Sequence, residues 1–233
     1  SIERVMRLSG IARFVGPLWR SASPEERAQA RSRYARDSHR LVVVTLGGGG
    51  DKYLDAFARR MIEGVITAGV TIGGLGRSWC MVIVAGPYSR GSIPTFNEIP
   101  GITLVEFEPE LPALLAAADV VVLKPGTNAL LEALDGDARL ILVPDRSYRE
   151  GLPEYAERLA RAYGHSVSVP EAGPLTVALY DALNSDTSPR LRPGSSADAV
   201  AGMVEQVASE PRDTAPGVPV GVVRLEEDLS RDR

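Results

Sequence analysis

Cysteine, histidine and lysine are all scarce in this chain of 233 residues, and each scarcity excludes a class of chemistry. Cys80 is the single cysteine, so neither an internal disulfide framework nor a cysteine-rich zinc site is available. His39 and His165 are the only histidines, too few to build a histidine-based metal site. Lys52 and Lys124 are the only lysines among 26 basic residues, and both stand beside glycine-containing loops. Positive charge is in slight deficit: 30 acidic residues give a formal net charge of −4, which argues against nucleic-acid binding through a broad basic surface. Long hydrophobic runs are missing as well. The longest uncharged apolar-looking stretch, Gly64 to Gly76, is glycine-rich and falls short of the roughly 20 residues a membrane helix needs. No secretory leader pattern opens the chain and residue 1 is Ser, so a processed or trimmed cytoplasmic product is expected.

What is present is an ordinary globular composition, 44% hydrophobic and 24% charged, with ample length for a real core. Residues 1–39 read as a linker followed by a helix that starts at Ser23-Pro24-Glu25-Glu26, with Ser as N-cap, Pro at the first helical position and Glu at the third. That helix is expected to continue to about Asp37 as an arginine-rich, solvated element. From residue 40 short apolar runs alternate with helical periods. Strands are expected at Leu41–Leu46, Cys80–Val84, Ile102–Phe107, Val120–Leu123, Leu140–Val143 and Ser166–Val169. Leu54, Phe57, Met61 and Val65 form one helical stripe, and Leu152, Tyr155, Ala156, Leu159, Ala160 and Tyr163 form another. Strands so continuously apolar are buried on both faces, as in a parallel sheet covered by helices. Residues 40–185 are therefore expected to be an α/β domain with a single Rossmann-like, doubly wound parallel sheet. Residues 186–233 read as a linker, an amphipathic helix marked by Val200, Met203, Val204 and Val207, and a charged tail.

Two loops carry the chemistry. In the first, Leu46-Gly47-Gly48-Gly49-Gly50-Asp51 joins a strand to a helix. Glycines let a backbone approach a ligand closely, and the helix N-terminus behind them offers free N–H groups and a favourable dipole to a phosphate. The loop is neither a Walker loop nor the dinucleotide fingerprint, because Lys52 stands where the third glycine belongs. The plainer alternative is a glycine-rich turn with no ligand. In the second, Asp119 to Glu132, a strand ends at Lys124-Pro125-Gly126 and a helix begins at Thr127 and Asn128, a second anion site. Asn128 and Glu132 are four apart and share a helix face. A carboxylate one turn beyond a phosphate site is placed to accept hydrogen bonds from a ribose, although Glu132 taken alone reads as an exposed helix glutamate.

From Leu104 to Glu132 the sequence resembles the donor-binding, C-terminal half of the two-domain (GT-B) nucleotide-sugar glycosyltransferases. It is most similar to the family of the lipid II-forming N-acetylglucosaminyltransferase and its relatives. The residues that carry the likeness are Phe107, Glu108-Pro109-Glu110-Leu111, Ala118-Asp119, Lys124, Pro125-Gly126 and Glu132, in order and without a gap. The glycine loop, Leu142-Val143-Pro144 and the helix through Ala156 follow in the family's order. The resemblance implies that main chain at Phe107 and Glu108 reads a uracil edge, with Leu111 packing on the ring. It implies that Gly48, Gly49, Gly50, Thr127, Asn128 and Ala129 hold the diphosphate, that Lys124 and Gly126 belong to the same nucleotide site, and that Glu132 holds the ribose. Arg149 and Glu150 stand where the family contacts the sugar, but with Arg149-Glu150-Gly151-Leu152 in place of its usual glutamines. The Ser-Gly of the family is Pro125-Gly126 here, and its usual Arg is Lys124.

The function so implied is binding of a UDP-sugar, without metal or other cofactor, for hexosyl transfer to an acceptor. In this family the acceptor site and catalytic base belong to the N-terminal half. A separate domain or subunit is therefore the expected partner, this chain alone is expected to be inactive, and membrane contact would come only through that partner if the acceptor is a lipid. The alternatives are a nucleotide-binding module without catalysis and a UDP-sugar hydrolase or epimerase relative. A methyltransferase would explain the first glycine loop but leave residues 124–132 unexplained. His165, Trp19 and Trp79 read as packing residues, and Asp145 with Glu150 as solvated loop acids.

Overall fold

Val, Ile and Leu in unbroken runs favour extended backbone, and here they form six short parallel strands. The structure is a computed structural model that describes residues 19–35, 39–47, 54–73, 78–87, 99–124, 126–143, 152–162, 165, 167–168, 175–185, 200–201 and 205. In chain order the elements are α1 (Pro24–Ser32), β1 (Arg40–Thr45), α2 (Leu54–Gly73), β2 (Trp79–Val84), β3 (Ile102–Val105) and α3 (Leu111–Ala117). They continue as β4 (Val120–Leu123), α4 (Thr127–Leu134), β5 (Arg139–Leu142), α5 (Leu152–Ala162), β6 (Val167–Ser168) and α6 (Leu175–Asn184). All neighbours pair in parallel, in the order β3-β2-β1-β4-β5-β6. This is the doubly wound, Rossmann-like order, with its reversal between β1 and β4. Two compact units divide the chain at 197/198, and in the second the described residues 200–201 and 205 are helical.

Alternation along the strands splits the core into two layers. Leu41 and Val43 of β1 and Val121 and Leu123 of β4 point into one, beneath α1, α3, α4 and α5. Val42, Val44, Val120 and Val122 point into the other, beneath α2 and α6. The inner strands β1, β2, β4 and β5 are thus apolar on both sides because both sides are covered, whereas β3 at the sheet edge leaves Thr103 exposed. The α6 helix was not among the expected elements, although Leu175, Leu179, Ala182 and Leu183 sit at helical spacing and are buried. Trp19 and Trp79 are buried in the two layers, as packing residues should be. Among the described residues no helix is long and apolar enough to cross a membrane.

Four expectations need correction. Helix α1 has the expected capping box at Ser23 and Glu26, but it ends at Ser32, with a last turn closed by Ala35 N–H on Arg31 O at 2.9 Å. Its arginines are not a solvated face. Arg27 meets buried Asp135 at 2.8 Å, and Arg31 meets Asp119 at 2.9 Å and Ala117 O at 2.9 Å. Their charged ends reach a buried carboxylate, Asp135, and a half-buried one, Asp119, and add charge-assisted bonds to the main-chain donors already on each. Strand β3 stops at Val105 because Phe107 and Glu108 turn away toward α3. Tyr155 is exposed, because α5 turns Ala156 and Ala160 into the core and position 155 lies about 100° from Ala156 around the helix.

His165 is buried, its Nδ1–H donating to Ala138 O at 3.0 Å, while among the described residues no hydrogen bond is made by Nε2. Burial disfavours the imidazolium and pulls the pKa down. A base whose folded pKa lies below its unfolded value costs stability as pH falls, because the unfolded chain takes the proton first. Stability is therefore expected to decline as pH drops below about 6.5. Urea unfolding at pH 7 and 5.5 checks this: His165→Gln should show less of that decline than the wild type.

Candidate functional site

At the reversal of strand order, β1 and β4 run side by side with Thr45 opposite Leu123. Lys124 N–H donates to Thr45 O at 3.4 Å, so the loops leaving the two strands start next to each other. This crevice at the carboxyl ends of the strands is where open α/β sheets receive ligands. Gly47 leaves β1 with φ +83, its N–H on Thr45 Oγ1 at 3.3 Å. Nothing lies within 4 Å of where its Cβ would be, so glycine is required here by conformation and not by crowding. Gly48, Gly49 and Gly50 lie outside the described residues, as do Pro125, Arg149, Glu150 and Asp145.

The second loop ends in the N-terminus of α4. Gly126 is its N-cap, in extended conformation, and no side chain caps the first turn. Thr127 and Asn128 are exposed, Lys124, Gly126 and Ala129 half-buried. An uncapped helix N-terminus presents N–H groups and the positive end of a dipole to whatever occupies the crevice. The position is favourable for an anion but identifies none.

Glu132, one turn further along α4, is the distinctive group. It is half-buried, and among the described residues no hydrogen-bond or ion-pair partner meets its carboxylate. Burial pushes its carboxyl pKa up. The contrast with Asp135, which is buried, and Asp119, half-buried like Glu132, is sharp. Asp135 accepts from Arg27, Ala22 N–H and Ser21 Oγ. Asp119 accepts from Arg31, Arg40 and Leu41 N–H. Both of these acids are paired, whereas Glu132, among the described residues, is not.

Phe107, Glu108 and Leu111 lie at the carboxyl end of β3 and the start of α3, which packs beside α4. Phe107 is 59% exposed. Its main-chain N–H and C=O, and the N–H of Glu108, meet no partner among the described residues. The Glu108 side chain is different: it is buried, with Oε2 accepting from Tyr34 Oη at 2.5 Å and Oε1 from Glu110 N–H at 2.9 Å and Arg33 at 3.1 Å. Its carboxylate braces the turn and faces the protein. Leu111 is half-buried and packs against the core layer under α3. Tyr34 and Arg33 were not among the candidate residues, and no spacing could have shown them, since 74 positions separate Tyr34 from Glu108. Among the described residues no group of three or more His, Cys, Asp or Glu comes together as a metal site.

No protein-family model and no curated protein sequence matches this chain. Solved structures do resemble it. The UDP-GlcNAc 2-epimerase from Methanocaldococcus jannaschii matches with a TM-score of 0.50 at 15% identity, over 79% of this chain and 50% of that one. The glycotransferase of kitacinnamycin matches at 0.49 and 14% identity, over 83% and 44%. The glycosyltransferase VinC, solved in complex with dTDP, matches at 0.48 and 20% identity, over 83% and 46%. The chain spans about half the length of these structures. At 15% identity the likeness to the epimerase is one of fold, a Rossmann-like half, and of nothing finer.

Proposed function

We propose that this chain is the donor-binding half of a glycosyltransferase that takes a nucleotide-sugar, specifically a UDP-sugar, without a metal ion. The observation that carries this reading is the unpaired, half-buried carboxylate of Glu132 one turn inside an uncapped helix N-terminus at the switch point. A diphosphate on the first turn of α4 puts the ribose one step further along, where two hydroxyls can donate to the carboxylate. Gly48–Gly50 and Lys124–Ala129 would hold the diphosphate, with main-chain N–H groups and the dipole of α4 carrying the charge that a metal ion carries elsewhere. The main-chain N–H and C=O of Phe107 and the N–H of Glu108, unpartnered among the described residues, would read the uracil edge. The hexose would lie toward Arg149 and Glu150. The acceptor and the base that activates it would come from another domain or subunit, as in the lipid II-forming family that the sequence resembles. The epimerase noted above is named for a UDP-sugar, in keeping with this choice of ligand.

Calorimetry of the chain with UDP and with ADP, both in EDTA, tests the proposal. Main-chain groups set for uracil leave unpaired partners against a purine, so UDP is expected to bind at least about 10-fold more tightly than ADP. Equal affinities, or no heat with either, would contradict it.

A further inference from the structure

The carboxylate of Glu108 ties together two pieces of chain: its own turn through Glu110 N–H, and the segment after α1 through Tyr34 and Arg33. It is 3% exposed, whereas Phe107 beside it is 59% exposed with its main-chain groups unpartnered among the described residues. A buried charge fully satisfied next to an open, unsatisfied strand end is an arrangement that fixes backbone without touching a ligand. The segment 19–35 has further anchors, Arg27 on Asp135 and Arg31 on Asp119, so Tyr34 approaches Glu108 from a held position.

We infer that Tyr34 and Glu108 form a positioning pair: through Glu108, the segment after α1 sets the 107–108 main chain in the geometry that selects the donor's base. This rests on the donor-binding reading above. Base recognition by main-chain groups depends on their being held before the ligand arrives, because a loop that must be ordered on binding subtracts that cost from affinity. The Tyr34 hydroxyl is suited to the task, since burial first, and Glu108 next, push its pKa up and keep it a donor. A phosphate or ribose contact elsewhere in the crevice does not depend on this turn, so loosening it should affect uracil reading alone.

The experiment compares UDP and ADP binding to the full chain for wild type, Tyr34→Phe and Arg33→Gln. Tyr34→Phe is expected to weaken UDP about 5- to 20-fold while ADP changes less than about 2-fold, so base discrimination collapses. Arg33→Gln, at a more exposed position, should move the same ratio about 2- to 5-fold and serves alone if Tyr34→Phe does not fold. A merely structural role predicts equal losses for both nucleotides. Equal losses, or UDP affinity indifferent to both substitutions, would overturn the inference and leave the donor reading standing. A wild-type chain that binds neither nucleotide would end the donor reading and this inference with it.

Discussion

Glu132→Ala is expected to weaken UDP binding by about 10- to 150-fold, the worth of hydrogen bonds from two ribose hydroxyls to one ionised carboxylate. The same substitution should leave the empty protein no less stable. Glu132 has a carboxyl pKa raised by burial and no partner among the described residues. An acid whose folded pKa lies above its unfolded value is destabilising once both states are ionised, because the native state is the poorer host for the charge. Relief of that penalty as pH falls through the raised pKa should favour the empty fold and weaken the ligand. Glu132→Gln is therefore expected to raise the Tm slightly near neutral pH while also losing UDP. A solvated helix glutamate predicts neither effect. A structural glutamate predicts a lower Tm.

The largest loss of stability is expected from Gly136→Ala. A Cβ at Gly136 would stand 2.4 Å from Ala116 O, 2.7 Å from its Cα and 2.8 Å from its carbonyl carbon. All three atoms are backbone, so no rotamer change relieves the overlap and α3 must move away from the end of α4. The expected cost is about 3 kcal/mol or more, which for a chain of this size lowers the Tm by roughly 6–12 °C. Thermal unfolding followed by circular dichroism measures it. A Tm within about 2 °C of wild type would mean that the close approach of α3 and the end of α4 is not as described. Because α3 begins beside Phe107 and α4 carries Glu132, the surviving folded protein should also bind UDP less well.

Gly136 also marks where sequence reasoning stops. Its requirement comes from a backbone twenty residues away, and nothing in its neighbours distinguishes it from a turn glycine. The inner strands were legible because they are covered twice, which leaves runs such as Val120–Leu123 without a single polar residue. The capping box at Ser23 was legible because it is completed within four residues. The two loops were legible as strand-to-helix junctions, but their adjacency is a property of strand order, set when β4 pairs with β1 and not with β3. The arginines of α1 were misread for the same reason: their partners, Asp119 and Asp135, are about a hundred residues away and visible only in the fold. Glu108 shows the limit within a motif. Its position at the strand end was legible, but its side chain faces inward to Tyr34 and Arg33, and only the structure separates its main chain from its carboxylate.

The central claim is that an unpaired carboxylate on α4 waits for a ribose, and a binding cycle with UDP and 2′-deoxy-UDP on wild type and Glu132→Ala tests it most directly. Removing the hydroxyl or the carboxylate breaks the same contact, so the two losses should not add. Wild type is expected to prefer UDP by about 10-fold or more, and Glu132→Ala to bind both nucleotides with nearly equal, low affinity. Equal binding of the two by wild type, or the same preference retained in the variant, would contradict the account.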